Sequence, residues 1–282
     1  MELRRASSLD EDQAGAVPLH GGTEVVPLLR TGRLLATALL DIRGVVPAGV
    51  AGNTIGAGTT LAVLESDPSI PAALGEAARL AASPQIRNVG SLGGNLLQAT
   101  RCWYWRLGFP CRLQALPDGG FGEECHAREG EHGEHAILAN DYCASAHPSD
   151  LAAALLALDA AVVTTERRFG IAELYRVPTE ADRRTTTLEP GELLLSIDLP
   201  PSDGSVYLKA MERKAFGFPL VGVAAARFGE ATRVALAGVA PTPWLLSDDG
   251  LAEATPLPGN AYKVEVATAL VRRARAQLVE AS

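Results

Sequence analysis

Sulfur is the first chemistry that this sequence offers. Its four cysteines, Cys102, Cys111, Cys125 and Cys143, all fall in one stretch of a 282-residue chain, with eight, thirteen and seventeen residues between them. That spacing is not the C-x2-C pairing of zinc ribbons or bacterial ferredoxins. Two disulfides confined to one loop have little use in a reducing compartment, so the clustering points to a metal or a cluster. Four thiolates, one per iron, meet the ligand requirement of a [4Fe–4S] cluster. Arg101, Arg106, Arg112 and Arg128 can offset thiolate charge, and Trp103, Tyr104, Trp105 and Phe109 can keep water away. His126, His132 and His135 leave a mixed Cys/His zinc site open. Free or disulfide-bonded cysteines are a third reading.

Paired glycines offer a second chemistry. His20-Gly21-Gly22-Thr23-Glu24 and Ser91-Leu92-Gly93-Gly94-Asn95 each end an apolar segment. Glycines let main-chain N–H groups approach an anion with no Cβ in the way, and each loop adds polar side chains. Neither loop reads G-x-G-x-x-G or ends in Gly-Lys-Ser/Thr, so Rossmann and P-loop readings are unsupported. Either loop alone is most simply a tight turn. Together with a third turn at Gly56-Ala57-Gly58, they could grip one diphosphate from two sides, as a dinucleotide requires.

The elements that must position these groups are short. Residues 53–60 read as a strand entering a glycine turn, and 68–82 as a helix with Leu74, Ala77, Ala78 and Ala81 on one face, stopped by Ser83-Pro84. Residues 100–141 are polar and Gly-rich with no sustained period. A connection of roughly 40 residues, against the usual ~4–6, is either functional or disordered, and the cysteines favour function. Ser149-Asp150 is an N-cap pair for a buried helix over 151–159. Strands are expected at 161–165, 193–199, 206–211, 221–228 and 234–239, with a closing helix over 264–278. The Pro200-Pro201 pair marks the expected boundary between domains 1–200 and 201–282.

Composition narrows the field. With 47% hydrophobic and 21% charged residues the chain is globular, and 28 glycines with 18 prolines argue for many short elements. A net charge of −8 with no basic patch speaks against nucleic acid or an anionic membrane as partner. No apolar run reaches the ~20 residues that cross a bilayer. Met1-Glu2-Leu3-Arg4-Arg5 has no apolar segment of a signal peptide behind it, so a cytoplasmic location is expected, with periplasmic co-export by a partner left open.

Ile86-Arg87-Asn88-Val89-Gly90-Ser91-Leu92-Gly93-Gly94-Asn95-Leu96 strongly resembles the flavin-binding signature of the FAD subunit of the molybdenum hydroxylases, the superfamily of xanthine dehydrogenase, aldehyde oxidoreductase and carbon monoxide dehydrogenase. His20-Gly21-Gly22-Thr23-Glu24 resembles that family's first pyrophosphate loop, with His20 where a small residue is common. Residues 55–60, 147–151, 193–197 and 209–213 look like its later blocks, in order along nearly the whole chain.

The resemblance implies an α+β fold: a two-lobed FAD-binding domain of the vanillyl-alcohol-oxidase type, then a small sheet-plus-helix domain. Carried over by motif, the residues around FAD are Leu19, His20, Gly21, Gly22, Thr23, Glu24 and Val25 in the first loop. Ser91, Gly93, Gly94, Asn95 and Gln98 follow from the second, and Asp150, Leu194 and Lys209 from the region about the flavin. Lys209 could offset the charge of the reduced flavin or its phosphates. A subset of the family inserts a cysteine-bearing loop here and binds a [4Fe–4S] cluster, which implies Cys102, Cys111, Cys125 and Cys143 as ligands. The implied partners are a molybdopterin-binding large subunit, a [2Fe–2S] small subunit and an external electron acceptor. The implied role is electron transfer, with no side chain as general acid or base and the substrate chosen elsewhere. A stand-alone flavin oxidoreductase and a scaffold subunit that has lost its flavin are the alternatives.

Overall fold

The computed structural model describes residues 1–9, 15–116 and 119–280. Three sheets organise it. The first is parallel, with β3 (Ala38–Asp41) between β1 (Glu2–Arg5) and β2 (Ala16–Leu19). All four residues of β3 are buried, as suits a central parallel strand covered on both faces. Beyond β2 the chain turns through residues 20–24 into α1 (Val25–Arg30).

The second sheet is antiparallel. It runs β4 (Val50–Ala51), β5 (Thr54–Gly56), β8 (Leu194–Asp198), β6 (Ala161–Thr164) and β7 (Arg168–Gly170). β8 thus sits between strands far from it in sequence and carries Leu194 beside the glycine turn after β5. Short helices follow that turn: α2 (Leu61–Ser66), α3 (Ala72–Leu80), α4 (Pro84–Arg87) and α5 (Leu92–Leu96). The face expected for the helix over 68–82 is the buried one, with Leu74, Ala77 and Ala78 wholly inaccessible. Among its described residues the stretch 100–141 holds one helix, α6 (Trp103–Leu107), and two isolated bridges, Cys111 to Glu124 and Ala115 to Phe121.

The central helix α7 (Asp150–Ala157) is buried along its whole length. Ser149 starts it: the Oγ accepts from the Ala152 N–H at 3.0 Å and donates to Asn95 Oδ1 at 2.6 Å, tying the cap to the second glycine loop. The third sheet, β12 (Trp244–Leu245), β11 (Ala231–Ala237), β10 (Val221–Phe228) and β9 (Gly204–Ala210), is antiparallel. Its strand period divides it cleanly. Val223 and Ala225 face one core with the closing helix α8 (Tyr262–Glu280), while Ala224 and Ala226 share the other with α3 and α7. The chain crosses Pro200-Pro201 between β8 and β9, yet Tyr207, Ala224, Ala226 and Ala235 pack into the same core as the helices before it. No described helix is long and apolar enough to cross a membrane.

The cysteine-bearing stretch is anchored beneath the third sheet. Ile137 and Leu138 are buried there, and both N–H groups donate to Val239 O. Lys263 of α8 has no exposed surface; its Nζ donates to Glu134 O at 3.0 Å, His135 O at 2.8 Å and Gly238 O at 2.5 Å. Burial pushes its ammonium down to about 7.

Two outcomes follow. Ser149→Ala loses both the cap and the Asn95 bond and lowers the unfolding free energy by about 1–2 kcal/mol in urea titrations, with the slope unchanged. His147 is buried, and burial alone pushes its imidazole from 6.5 down to about 3. Below pH 6.5 the unfolded chain therefore binds a proton that the native one does not, and stability falls with pH towards 3. His147→Asn flattens that fall by up to about 1.4 kcal/mol per pH unit in denaturation curves taken across the window.

Candidate functional site

The two glycine loops meet. A Cβ on Gly21 would lie 1.9 Å from Val89 O, so only glycine allows the first loop to press against the approach to the second. Gly22 takes φ +71°, which turns the chain into α1. Ser91 caps α5, its Oγ accepting from the Gly94 N–H at 3.2 Å. The third turn joins them: Leu92 N–H donates to Thr59 O and Gly93 N–H to Ala57 O, both at 2.8 Å.

Between the loops lies a cavity of about 330 Å³, walled by His20, Gly21, Gly22, Thr23, Glu24, Val25, Ser91, Gly93, Gly94 and Leu194 among others. A second of about 140 Å³ shares Thr23, Glu24, Ser91 and Gly94 with it and adds Asn95, Gln98 and Asp150. Of the residues expected around a flavin, only Leu19 and Lys209 lie off both walls. The Leu19 side chain lies beside Gly22 instead.

The two loops differ in what they offer. Among the described residues, no main-chain carbonyl accepts from the N–H groups of Gly21, Gly22, Thr23 or Glu24. Those of Leu92, Gly93, Gly94 and Asn95 are all taken within the protein. The first loop therefore has amides left for an anion, whereas the second spends its own on holding itself. His20 adds a buried, unpartnered Nδ1. Burial lowers its pKa, helped by Arg43, so the imidazole is neutral near pH 7. Open amides, one unpaired imidazole nitrogen and a cradle without Cβ atoms fit a dinucleotide diphosphate.

Lys209 acts at one remove. Its side chain is fully buried, its Nζ donating to Asp150 Oδ2 at 2.9 Å and Leu80 O at 3.1 Å. The Tyr207 hydroxyl donates to the other carboxylate oxygen. Burial pushes the Asp150 acid up, and the ammonium opposes that push. The cation thus holds a carboxylate at the cavity wall rather than facing the cavity.

The four thiols lie near one another. None is in a disulfide. Cys102 lies near enough to Cys111 and Cys125 for their charges to interact, as does Cys111 to Cys125, and Cys143 to Cys125 and Cys102. Burial raises the Cys111 thiol and pushes Cys102 to about 11 and Cys143 to about 12, so these three are protonated at neutral pH. Among the described residues no three Cys, His, Asp or Glu side chains converge on the position of one metal ion. His135 Nε2 is 3.2 Å from Cys102 Sγ, and its ring stands edge-on to Trp103.

The arginines do not do what their position suggests. Arg101 and Arg106 bind Glu24, at 2.7 and 2.6 Å. Arg112 donates to the carbonyls of Glu123 and Tyr142, and Arg128 to those of Asn140 and Asp141. They neutralise a carboxylate or tie loop carbonyls, while the groups that oppose burial at the thiols are backbone N–H groups, Ser145 at Cys143 and the charge of Arg33 at Cys111. Sequence reasoning also missed Phe216 and Phe218, half-exposed at the smaller cavity, with Arg101 stacked 4.7 Å over Phe218. A Phe-Gly-Phe triplet in a chain only 5% aromatic was the available signal.

Comparison with known proteins now decides the family. Residues 2–202 match the family described as the FAD binding domain in molybdopterin dehydrogenase. The chain belongs to that family. It is 37% identical over 250 residues to the aldehyde oxidoreductase FAD-binding subunit PaoB of Escherichia coli (strain K12), covering 82% of this chain and 76% of that protein. Its fold is that of a chain of the reconstituted CO dehydrogenase from Oligotropha carboxidovorans, with TM-score 0.65 and 20% identity over 97% of this chain and 95% of that one. A chain of quinoline 2-oxidoreductase from Pseudomonas putida 86 is similar too, with TM-score 0.63 and 18% identity over 97% and 94%. The two-lobed α+β architecture expected from the motifs is thus the architecture of these structures.

Gly21→Ala separates the loops by adding a methyl where Val89 O now sits. The variant is expected to fold yet to carry less than about a tenth of the wild-type flavin, a loss of more than about 1.4 kcal/mol in affinity. Flavin released on denaturation and counted per chain is the measurement.

Proposed function

We propose that this chain is the FAD- and [4Fe–4S]-bearing electron-transfer subunit of a molybdenum-dependent hydroxylase. In this reading a molybdopterin-binding large subunit and a [2Fe–2S] small subunit deliver electrons, and an external acceptor removes them. The observation that carries it is the pair of cavities that share Thr23, Glu24, Ser91 and Gly94, one walled by the first loop with its unpaired amides and the other by Asp150. Bound there, the flavin supplies the exchange between one-electron and two-electron carriers. The protein's own part is to bind and orient. The amides of residues 21–24 meet the diphosphate, the second loop sets the width of the cleft, and the Lys209–Asp150–Tyr207 group fixes a polar wall without a mobile cation.

Cys102, Cys111, Cys125 and Cys143 are the proposed cluster ligands. The ligand count favours four irons over zinc: a four-iron cube takes one thiolate per iron, and the four thiols are close enough to sense one another. The 37% identity to an aldehyde oxidoreductase FAD-binding subunit makes an aldehyde the favoured substrate class for the assembled enzyme. Residues 1–200 and 201–282 are proposed as its two domains.

The full chain, purified without oxygen, is expected to hold one flavin and about four irons, with broad thiolate-to-iron absorption. Cys125→Ser should lose the iron and keep the flavin. A protein that stays colourless after anaerobic reconstitution with iron, sulfide and FAD overturns the proposal.

A further inference from the structure

The carboxylate of Glu24 belongs to the first glycine loop, but all of its strong contacts lie 75 to 82 residues away, on the segment that carries the first cysteine. Oε1 accepts from the Ala99 N–H at 3.0 Å and from Arg106 at 2.6 Å; Oε2 accepts from Arg101 at 2.7 Å. The two arginines extend the grip. Arg101 also donates to Gln98 Oε1 at 2.9 Å, and Arg106 to Thr100 O at 2.8 Å. Thr100 Oγ1 in turn accepts from the Cys102 N–H at 3.1 Å. Glu24 is mostly buried, so these charge-assisted bonds are partly shielded from solvent. An unbroken set of bonds therefore runs from the loop with open amides to the backbone of Cys102.

We propose that Glu24 is a positioning residue that couples the two cofactor sites: flavin bound at the first loop favours the cluster-holding arrangement of Cys102, and the cluster favours flavin. The proposal rests on the reading that the cleft takes FAD and the four thiols take iron. A diphosphate on the amides of residues 21–24 fixes that loop, and with it the carboxylate at its end. Residues 99–106 then have one position to bond to, and Cys102 is held with them. The coupling is the same in either direction, because the two occupancies share one free-energy difference.

The test is a titration of the full-length chain with FAD, followed by flavin fluorescence, on iron-loaded protein and on protein stripped of iron by a chelator. Wild type is expected to bind FAD about 5- to 150-fold more tightly when iron-loaded. In Glu24→Gln the two forms should differ by less than about two-fold. Arg106→Gln is the second variant, because Arg106 bonds the carboxylate yet lines neither cavity. It should abolish the difference while leaving the affinity of the iron-free form near that of wild type. Equal affinities in the two wild-type forms overturn the coupling and leave the two cofactor sites standing. So does a Glu24→Gln protein that binds flavin more weakly but keeps the wild-type ratio, since Glu24 is then a flavin contact only. A chain that takes up no iron under reconstitution removes the premise and the coupling together.

Discussion

The whole site depends on how closely two stretches of backbone can pass. Gly21 lies so near Val89 O that no larger residue fits, and the first loop is held against residues 89–91 by that contact. Everything else is arranged around the approach. β2 delivers the first loop at the end of a parallel sheet, the second loop coils into α5 with Ser91 as its cap, and the turn at 57–59 accepts two N–H groups from α5. Close backbone packing of this kind leaves little room for error but needs no side chain to enforce it. It also explains the asymmetry of the loops. The second uses its amides to hold itself in place, which leaves those of the first for a ligand.

Local pattern made much of the fold legible. The helix at 150–157 has its cap in Ser149 and an apolar residue at nearly every position, and both features are visible in the sequence and realised in the structure. The strands of the third sheet alternate between two cores, and their apolar runs marked them out. β1 was not legible. Glu2-Leu3-Arg4-Arg5 is an edge strand with little buried surface, so its sequence carries no core-facing alternation. Nor was the pairing of β8 with β5, because a separation of more than a hundred residues leaves no local trace.

At the site, motif position brought nearly the whole expected set to two joined walls. Charge was harder to assign. Arg101 and Arg106 stand beside a cysteine in sequence, yet their partner is Glu24, which only the folded chain brings within reach. Lys209 is expected beside the flavin to offset its charge, and its side chain is instead fully buried against Asp150. A charged side chain names what it needs, an opposite charge or a carbonyl, and folding selects which one it meets.

Lys263 carries this logic to the closing helix. Its buried ammonium uses two carbonyls from the cysteine-bearing stretch and one from the third sheet. The closing helix and that stretch are therefore a matched pair. Grafted onto a relative without the insertion, the helix would bring a cation stripped of two of its three partners, and either an apolar residue or the missing loop would have to travel with it.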